Sequence, residues 1–186
     1  DRSQIRSAIL SSREMLESEF KRQLERYGVY DDDRVPLSKL GHLSLQDRET
    51  RREIDAALER ELEATEDYRR AYRNYIREAT KEYLNRYVGL KTIEARGLVT
   101  ETLTTKAEYG NRSYLHYTVD EIAGELTDAS DDGLGVALDL AFQEIGAEIR
   151  ILFEDTDYTA IEPEFTVRRD VFEELGKLDD DAWAAD

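Results

Sequence analysis

The chain has no cysteine, two prolines, one tryptophan and two histidines in 186 residues. Without cysteine there is no disulfide, no thiolate zinc site and no cysteine nucleophile. The prolines, Pro36 and Pro163, are far apart, so chemistry that needs a Pro-Pro step is excluded. No apolar run approaches the roughly 20 residues of a membrane span, and no signal peptide is legible. Positive charge is scarce too. The 26 Lys and Arg face 43 Asp and Glu, for a formal net charge of −17, which disfavours broad binding to phosphate or anionic membranes at ordinary salt. A soluble, cytoplasmic protein is the expectation, with no membrane partner.

What is present describes a charged globular chain. Hydrophobic residues make up 40% and charged residues 37%, enough apolar content for a core and too much for a disordered polymer. The length suits one domain with room for a semi-independent arm. Six Lys stand beside twenty Arg, and this acid-rich, lysine-poor balance resembles proteins of salt-loving organisms. Surface acid is then a solubility adaptation and says little about partners. The chain begins at Asp1 and its last residues, DDDAWAAD, stop just after the single Trp, so both ends read as internal to a longer protein.

Periodicity organises the chain. Ile5, Ile9, Leu16, Phe20 and Leu24 share one face and predict a helix from Ser3 to Tyr27, with Gly28 as its stop. DDDRVP and Gly41 make a linker. Ser44 caps a helical pattern that persists to Ala95 and ends at Gly97. About fifty residues is long for one globular helix, so a break near Thr65 or Thr80 is expected. From Leu98 to Thr118 a Thr- and Tyr-rich stretch with a Gly-Asn turn predicts a short hairpin or an ordered loop. Thr118 and Glu121 form a capping box for the short helix VDEIAGEL. After TDASDDG comes a buried helix, LGVALDLAFQEIGAEIRILF, carrying Leu138, Phe142, Ile145, Ile149 and Leu152. Thr166 then caps a last helix, VRRDVFEEL, ended by Gly176. The expected fold is mainly α, an irregular multi-helix domain with a long helix or helix pair and at most one small β-hairpin. Its parts are an N-terminal helix over 1–30, a linker over 31–43 and a helical domain over 44–186.

Catalytic chemistry is hard to find. His42 and His116 lie in unrelated places and read as surface or turn histidines. Gly133 and Gly135 lack the third glycine and the preceding strand of a phosphate loop. Asp128, Ser130, Asp132, Gly133 and Asp139 fall at positions 1, 3, 5, 6 and 12 of an EF-hand-like loop, but Gly135 replaces the usual β-branched residue and Asp139 is short for bidentate reach. An acidic helix N-terminus accounts for these residues without calcium, and no metal site is assigned. The segment 68–91 is richer. Arg69, Arg70, Arg73, Arg77 and Lys81 fall on one helical face, while Tyr68, Tyr72, Tyr75, Ala79 and Tyr83 fall on the opposite one. The bland reading is a solvated arginine face over a tyrosine core; the functional one is a set of phosphate or partner contacts.

Tyr83 to Lys91 then runs nine residues without an acid, in the phrase YLNRYVGLKTIEARGLV. Asn85, Arg86, Lys91 and Glu94 sit among Tyr83, Tyr87, Val88, Leu90 and Ile93, so their polar ends are expected to be hydrogen-bonded inside the fold as a structural motif. NRYVGLKTIEARGLV resembles the helix near the N-terminus of large adenine-specific DNA methyltransferases of the BREX phage-defence type and of related fused restriction–methylation enzymes. Asn85, Arg86, Leu90, Lys91, Glu94 and Gly97 carry the match. EIGAEIRILFEDTDYTAIEPEF with VRRDVFEEL resembles that family's next landmark, and AWAAD the approach to its catalytic domain. The resemblance implies a non-catalytic helical region that scaffolds an absent methyltransferase domain, with DNA and other phage-defence proteins as partners of the parent. S-adenosylmethionine is then the parent's cofactor, with none in this chain. A competing likeness is to winged-helix transcription regulators, whose helix and β-wing IEARGLVTE, a Gly-Asn turn and RSYLHYT resemble; a structural helical adaptor is the third reading. The Gly-rich cofactor loop and the Asn-Pro-Pro-Tyr motif are absent from residues 1–186. Isothermal titration of the chain with S-adenosylmethionine is therefore expected to show no binding, and micromolar affinity would overturn that reading.

Overall fold

Helix boundaries follow local chemistry closely. A computed structural model describes residues 2–127 and 130–184 and, apart from 147 and 148, their side chains. The helices are α1 (Arg2–Arg26), α2 (Leu45–Thr65), α3 (Tyr68–Ala95), α4 (Tyr114–Ile122), α5 (Leu134–Glu144), α6 (Ala147–Arg150), α7 (Phe165–Gly176) and α8 (Asp180–Ala184). Among the described residues there is no strand, only isolated antiparallel bridges at Val29–Arg34 and Lys106–Arg112. The chain is mainly α. No described helix is long and apolar enough to cross a membrane.

Gly28 ends α1 in the left-handed region at φ 70, which glycine reaches without steric penalty. The Val29 N–H then donates to the Leu24 carbonyl at 2.9 Å. A Cβ on Gly28 would lie 2.8 Å from Leu40 Cδ2, so the position also needs the missing side chain. Ser44 opens α2 with a reciprocal capping box to Asp47, an arrangement worth about 1 kcal/mol. The long helical pattern breaks once. Glu66 turns left-handed at φ 53, and the Thr65 hydroxyl donates to the Glu61 carbonyl at 2.7 Å and the Asp67 carbonyl at 3.2 Å. No break occurs at Thr80, which stays buried within α3.

Three expectations fail for identifiable reasons. The short helix begins at Tyr114, because the Ser113 hydroxyl accepts the His116 N–H at 3.2 Å. Thr118, the expected cap, is inside that helix and donates to the Tyr114 carbonyl at 2.9 Å. The stretch 134–153 is not one buried helix. Ile145 and Gly146 are extended, at ψ 133 and 153, while Glu144 accepts the Thr100 N–H at 3.0 Å. Ile145 stays in the core but Leu152 is 44% exposed. The last long helix starts at Phe165 after Glu164, with no side-chain cap from Thr166, and ends at Gly176 as expected.

Two compact units emerge, divided within α1 and α3. The first comprises Asp1–Ser12, Leu84–Glu154 and Glu164–Asp186; the second comprises Arg13–Tyr83 and Asp155–Pro163. In the second unit Leu16, Phe20, Leu24, Ile54, Leu58 and Tyr75 are essentially inaccessible. The Phe20 and Tyr83 rings lie 5.5 Å apart. Arg51 is also buried, donating to the Tyr27 carbonyl at 2.7 Å, the Val35 carbonyl at 2.9 Å and Asp55 at 3.0 Å. It ties 31–43, read from sequence as a linker, into the same unit. In the first unit the core holds Leu90, Leu103, Ala137, Ala141, Val171 and Leu175. Tyr87 meets Phe172 edge-on at 5.0 Å. The Trp183 indole donates to the Leu175 carbonyl at 3.1 Å, anchoring α8.

Burial of the second unit's tyrosines has a consequence at alkaline pH. Burial pushes the Tyr68 and Tyr72 phenols up to about 12 and raises Tyr75 and Tyr158 as well. Folded values above the unfolded value of 10.0 mean that the stabilisation is complete below the unfolded pKa and is lost as pH rises through the folded values. Melting temperature is expected to fall steeply from about pH 10 to 12, with part of the tyrosinate absorbance appearing only on unfolding. Complete tyrosine ionisation near pH 10 in a folded chain would contradict this.

Candidate phosphate-binding face

The two halves of α3 do different work. In the second unit, Tyr72, Tyr75, Ala79 and Tyr83 are buried and Tyr68 is partly covered. The Tyr83 hydroxyl donates to the Thr159 carbonyl at 3.2 Å and the Tyr68 hydroxyl to the Tyr30 carbonyl at 3.0 Å. With this stripe turned inward, a period of 3.6 residues leaves Arg69, Arg70, Arg73, Arg77 and Lys81 outward, and all five are exposed.

Pairing splits this row. Glu78 serves both Arg77, at 3.2 Å, and Lys81, at 3.3 Å. Among the described residues no carboxylate meets the guanidinium of Arg69, Arg70 or Arg73. Arg69 and Arg70 stand in the first turn of α3, where Asp67 accepts the Arg70 backbone N–H at 3.1 Å. Beside them is a pocket of about 370 Å³ whose walls include Glu17 and Lys21 of α1, Asp31, Arg69, Tyr72 and Arg73. Sequence reasoning missed Lys21, because nothing local relates the 17–21 turn of α1 to residues fifty positions later. Tyr72 lines this pocket, while its hydroxyl, like that of Tyr75, is shut off from solvent without a hydrogen-bond partner. Burial, followed by the charges of Glu25 and Asp31, holds it protonated to about 12.

In the first unit, the polar residues of 85–94 separate. Glu94 is 7% exposed and Lys91 fully buried. The Glu94 carboxylate accepts the backbone N–H groups of Thr102 at 2.6 Å, Leu103 at 2.5 Å and Thr104 at 3.2 Å. The Lys91 ammonium donates to Glu94 at 3.2 Å, the Thr104 hydroxyl at 2.5 Å and Asp180 at 2.8 Å. The pair thus pins the stretch after α3 and reaches α8. Arg86 is buried and donates to the Glu154 carbonyl at 2.6 Å. Asn85, expected inside with them, is exposed; its position faces away from the stripe that buries Arg86, Leu90 and Ile93.

The remaining candidates carry less. His42 is exposed and its ring contacts the Arg26 carbonyl at 3.1 Å. His116 is buried, not superficial, with its ring nitrogen 2.5 Å from the Asp132 carbonyl. Of the EF-hand-like residues, Asp128 lies outside the described residues. Asp132 is engaged by Arg112 at 2.7 and 2.9 Å, and Asp139 is exposed. Among the described residues no cluster of three or more His, Cys, Asp or Glu is placed to hold a metal. The stretch 98–112 forms an ordered loop with one bridge and a left-handed Gly110–Asn111 turn. Comparison of the chain with protein-family models, curated proteins and solved structures finds no match.

Removing one member of a buried, hydrogen-bonded ion pair leaves an uncompensated charge and costs about 3–5 kcal/mol. Glu94→Ala is therefore expected to lower stability by about 3 kcal/mol or more in urea unfolding, while Asn85→Ala changes it by less than about 0.5 kcal/mol. Equal effects of the two substitutions would contradict the assignment of Glu94 as the anchor.

Proposed function

We propose that the chain is the non-catalytic helical region of a site-specific adenine DNA methyltransferase of the phage-defence type. It supports the catalytic domain and lays the outer face of α3 along the duplex backbone. The phrase from Asn85 to Gly97 supports the family reading, and the buried roles of Arg86, Lys91 and Glu94 give that phrase a physical purpose. The observation that carries the DNA contact is the state of Arg69, Arg70 and Arg73. They stay exposed and unpaired among the described residues of a chain with 43 acids. Arginine presents a planar fork suited to phosphate oxygens, and such contacts position a protein without reading sequence. A net charge of −17 disfavours non-specific contact with the duplex elsewhere. The winged-helix reading has no counterpart to its wing, because 98–112 forms no strand among the described residues.

The coding sequence after Asp186 is expected to specify a Gly-rich cofactor loop and an Asn-Pro-Pro-Tyr motif; a stop codon there removes the methyltransferase reading. In that full-length protein, Arg69→Glu with Arg73→Glu should weaken DNA binding evenly across sequences. The salt slope should flatten by about 0.9 log units for each phosphate that is no longer neutralised. Unchanged affinity and slope would return α3 to a helical adaptor with a solvated arginine face.

A further inference from the structure

The cations of the second unit are placed against the electrostatics of their own helix. Arg69 and Arg70 occupy the first turn of α3, which carries no acidic residue. Asp67, just before that turn, accepts the Arg70 N–H at 3.1 Å and offsets part of the positive helix end, to which Arg69 and Arg70 add their own charge. Lys21 brings another exposed cation to the same pocket from α1, and it too meets no carboxylate among the described residues. An anion in the pocket would relieve all of these at once.

The opposing charges are Glu17 and Asp31 in the wall, Glu25 near the Tyr72 phenol and Asp67 at the helix end. Glu17, on the α1 side, is occupied by Arg13 at 2.7 Å. Asp31 is exposed and has no hydrogen-bond or ion-pair partner among the described residues. The pocket's charged walls are therefore Lys21, Arg69 and Arg73 against Glu17 and Asp31, with Glu17 already neutralised locally. Tyr72 lines the pocket with its ring, while its hydroxyl is shut off from solvent. A volume of about 370 Å³ exceeds what a bare phosphate fills and leaves room for the sugars on either side of a phosphodiester.

The geometry points to this pocket as a seat for one phosphate group, held by Lys21, Arg69 and Arg73 above the Tyr72 ring. Lys21 supplies a point charge and the two arginines supply forked donors. Because Arg69 and Arg73 are one helical turn apart, they reach the same group from one side, and Lys21 reaches it from the other element. Arg77 and Lys81 are not part of the seat, since Glu78 already holds them. The inference rests on the DNA-backbone reading only for the source of the phosphate.

The test titrates inorganic phosphate and, separately, a short mixed-sequence DNA duplex into the 186-residue chain at low salt. Binding is followed by the backbone amide and arginine Nε–H resonances. Both titrants are expected to move the Arg69 and Arg73 signals. Lys21→Ala, at an exposed position, should weaken both by about tenfold, the effect of losing a hydrogen bond to a charged group. Asp31→Asn should tighten both by about twofold to fivefold by removing the opposing carboxylate. Phosphate binding that responds to both variants, with no duplex binding, supports the seat and removes the DNA reading. Duplex binding indifferent to both variants overturns the seat and leaves the DNA reading standing. No binding of either titrant to the folded chain overturns the seat.

Discussion

Tyr72, Tyr75 and Tyr83 cannot be buried on one side of α3 without turning its arginines to the other, and that division governs the second unit. Side chains one turn apart share a face, so a tyrosine stripe at 68, 72, 75, 79 and 83 determines where 69, 70, 73, 77 and 81 must point. The phenols need partners once buried, and Tyr83 and Tyr68 find backbone carbonyls of the same unit. Tyr72 does not. A helix built this way is a wall on one side and a cationic surface on the other.

The first unit depends on a different device. A carboxylate that accepts three backbone N–H groups and a lysine ammonium can be buried because its acceptor capacity is used. Glu94 meets that condition, and through Lys91 the same cluster reaches Asp180. The irregular stretch after α3 thereby gains an ordered course without strand pairing. This accounts for a stretch rich in Thr and Tyr that reads from sequence as a short hairpin or an ordered loop and forms an ordered loop with one bridge.

Much of the helical layout was legible. Gly28, Gly97 and Ser44 act at helix ends through mechanisms confined to a few neighbouring residues, and the tyrosine and arginine faces follow from periodicity alone. Legibility failed where two local signals competed. Ser113 and Thr118 are both good caps, and the earlier one took the helix. Ile145 and Gly146 lie inside a strongly apolar, helix-like run, yet extended backbone there keeps Ile145 in the core while Glu144 holds Thr100. Apolar neighbours on both sides make Asn85 read as buried with Arg86, but adjacent residues on a helix point about 100° apart, so Arg86 is buried and Asn85 exposed.

By itself the sequence determined the fold class, the single cationic helix face and the absence of cysteine chemistry, because composition and period act locally. Tertiary structure decided which of those cations are free. Glu78 neutralises Arg77 and Lys81 from the same helix, whereas Arg69 and Arg73 stay unpaired and gain Lys21 as a neighbour across a pocket. Such a grouping depends on how α1 and α3 pack around a shared apolar core, and no spacing along the chain encodes it.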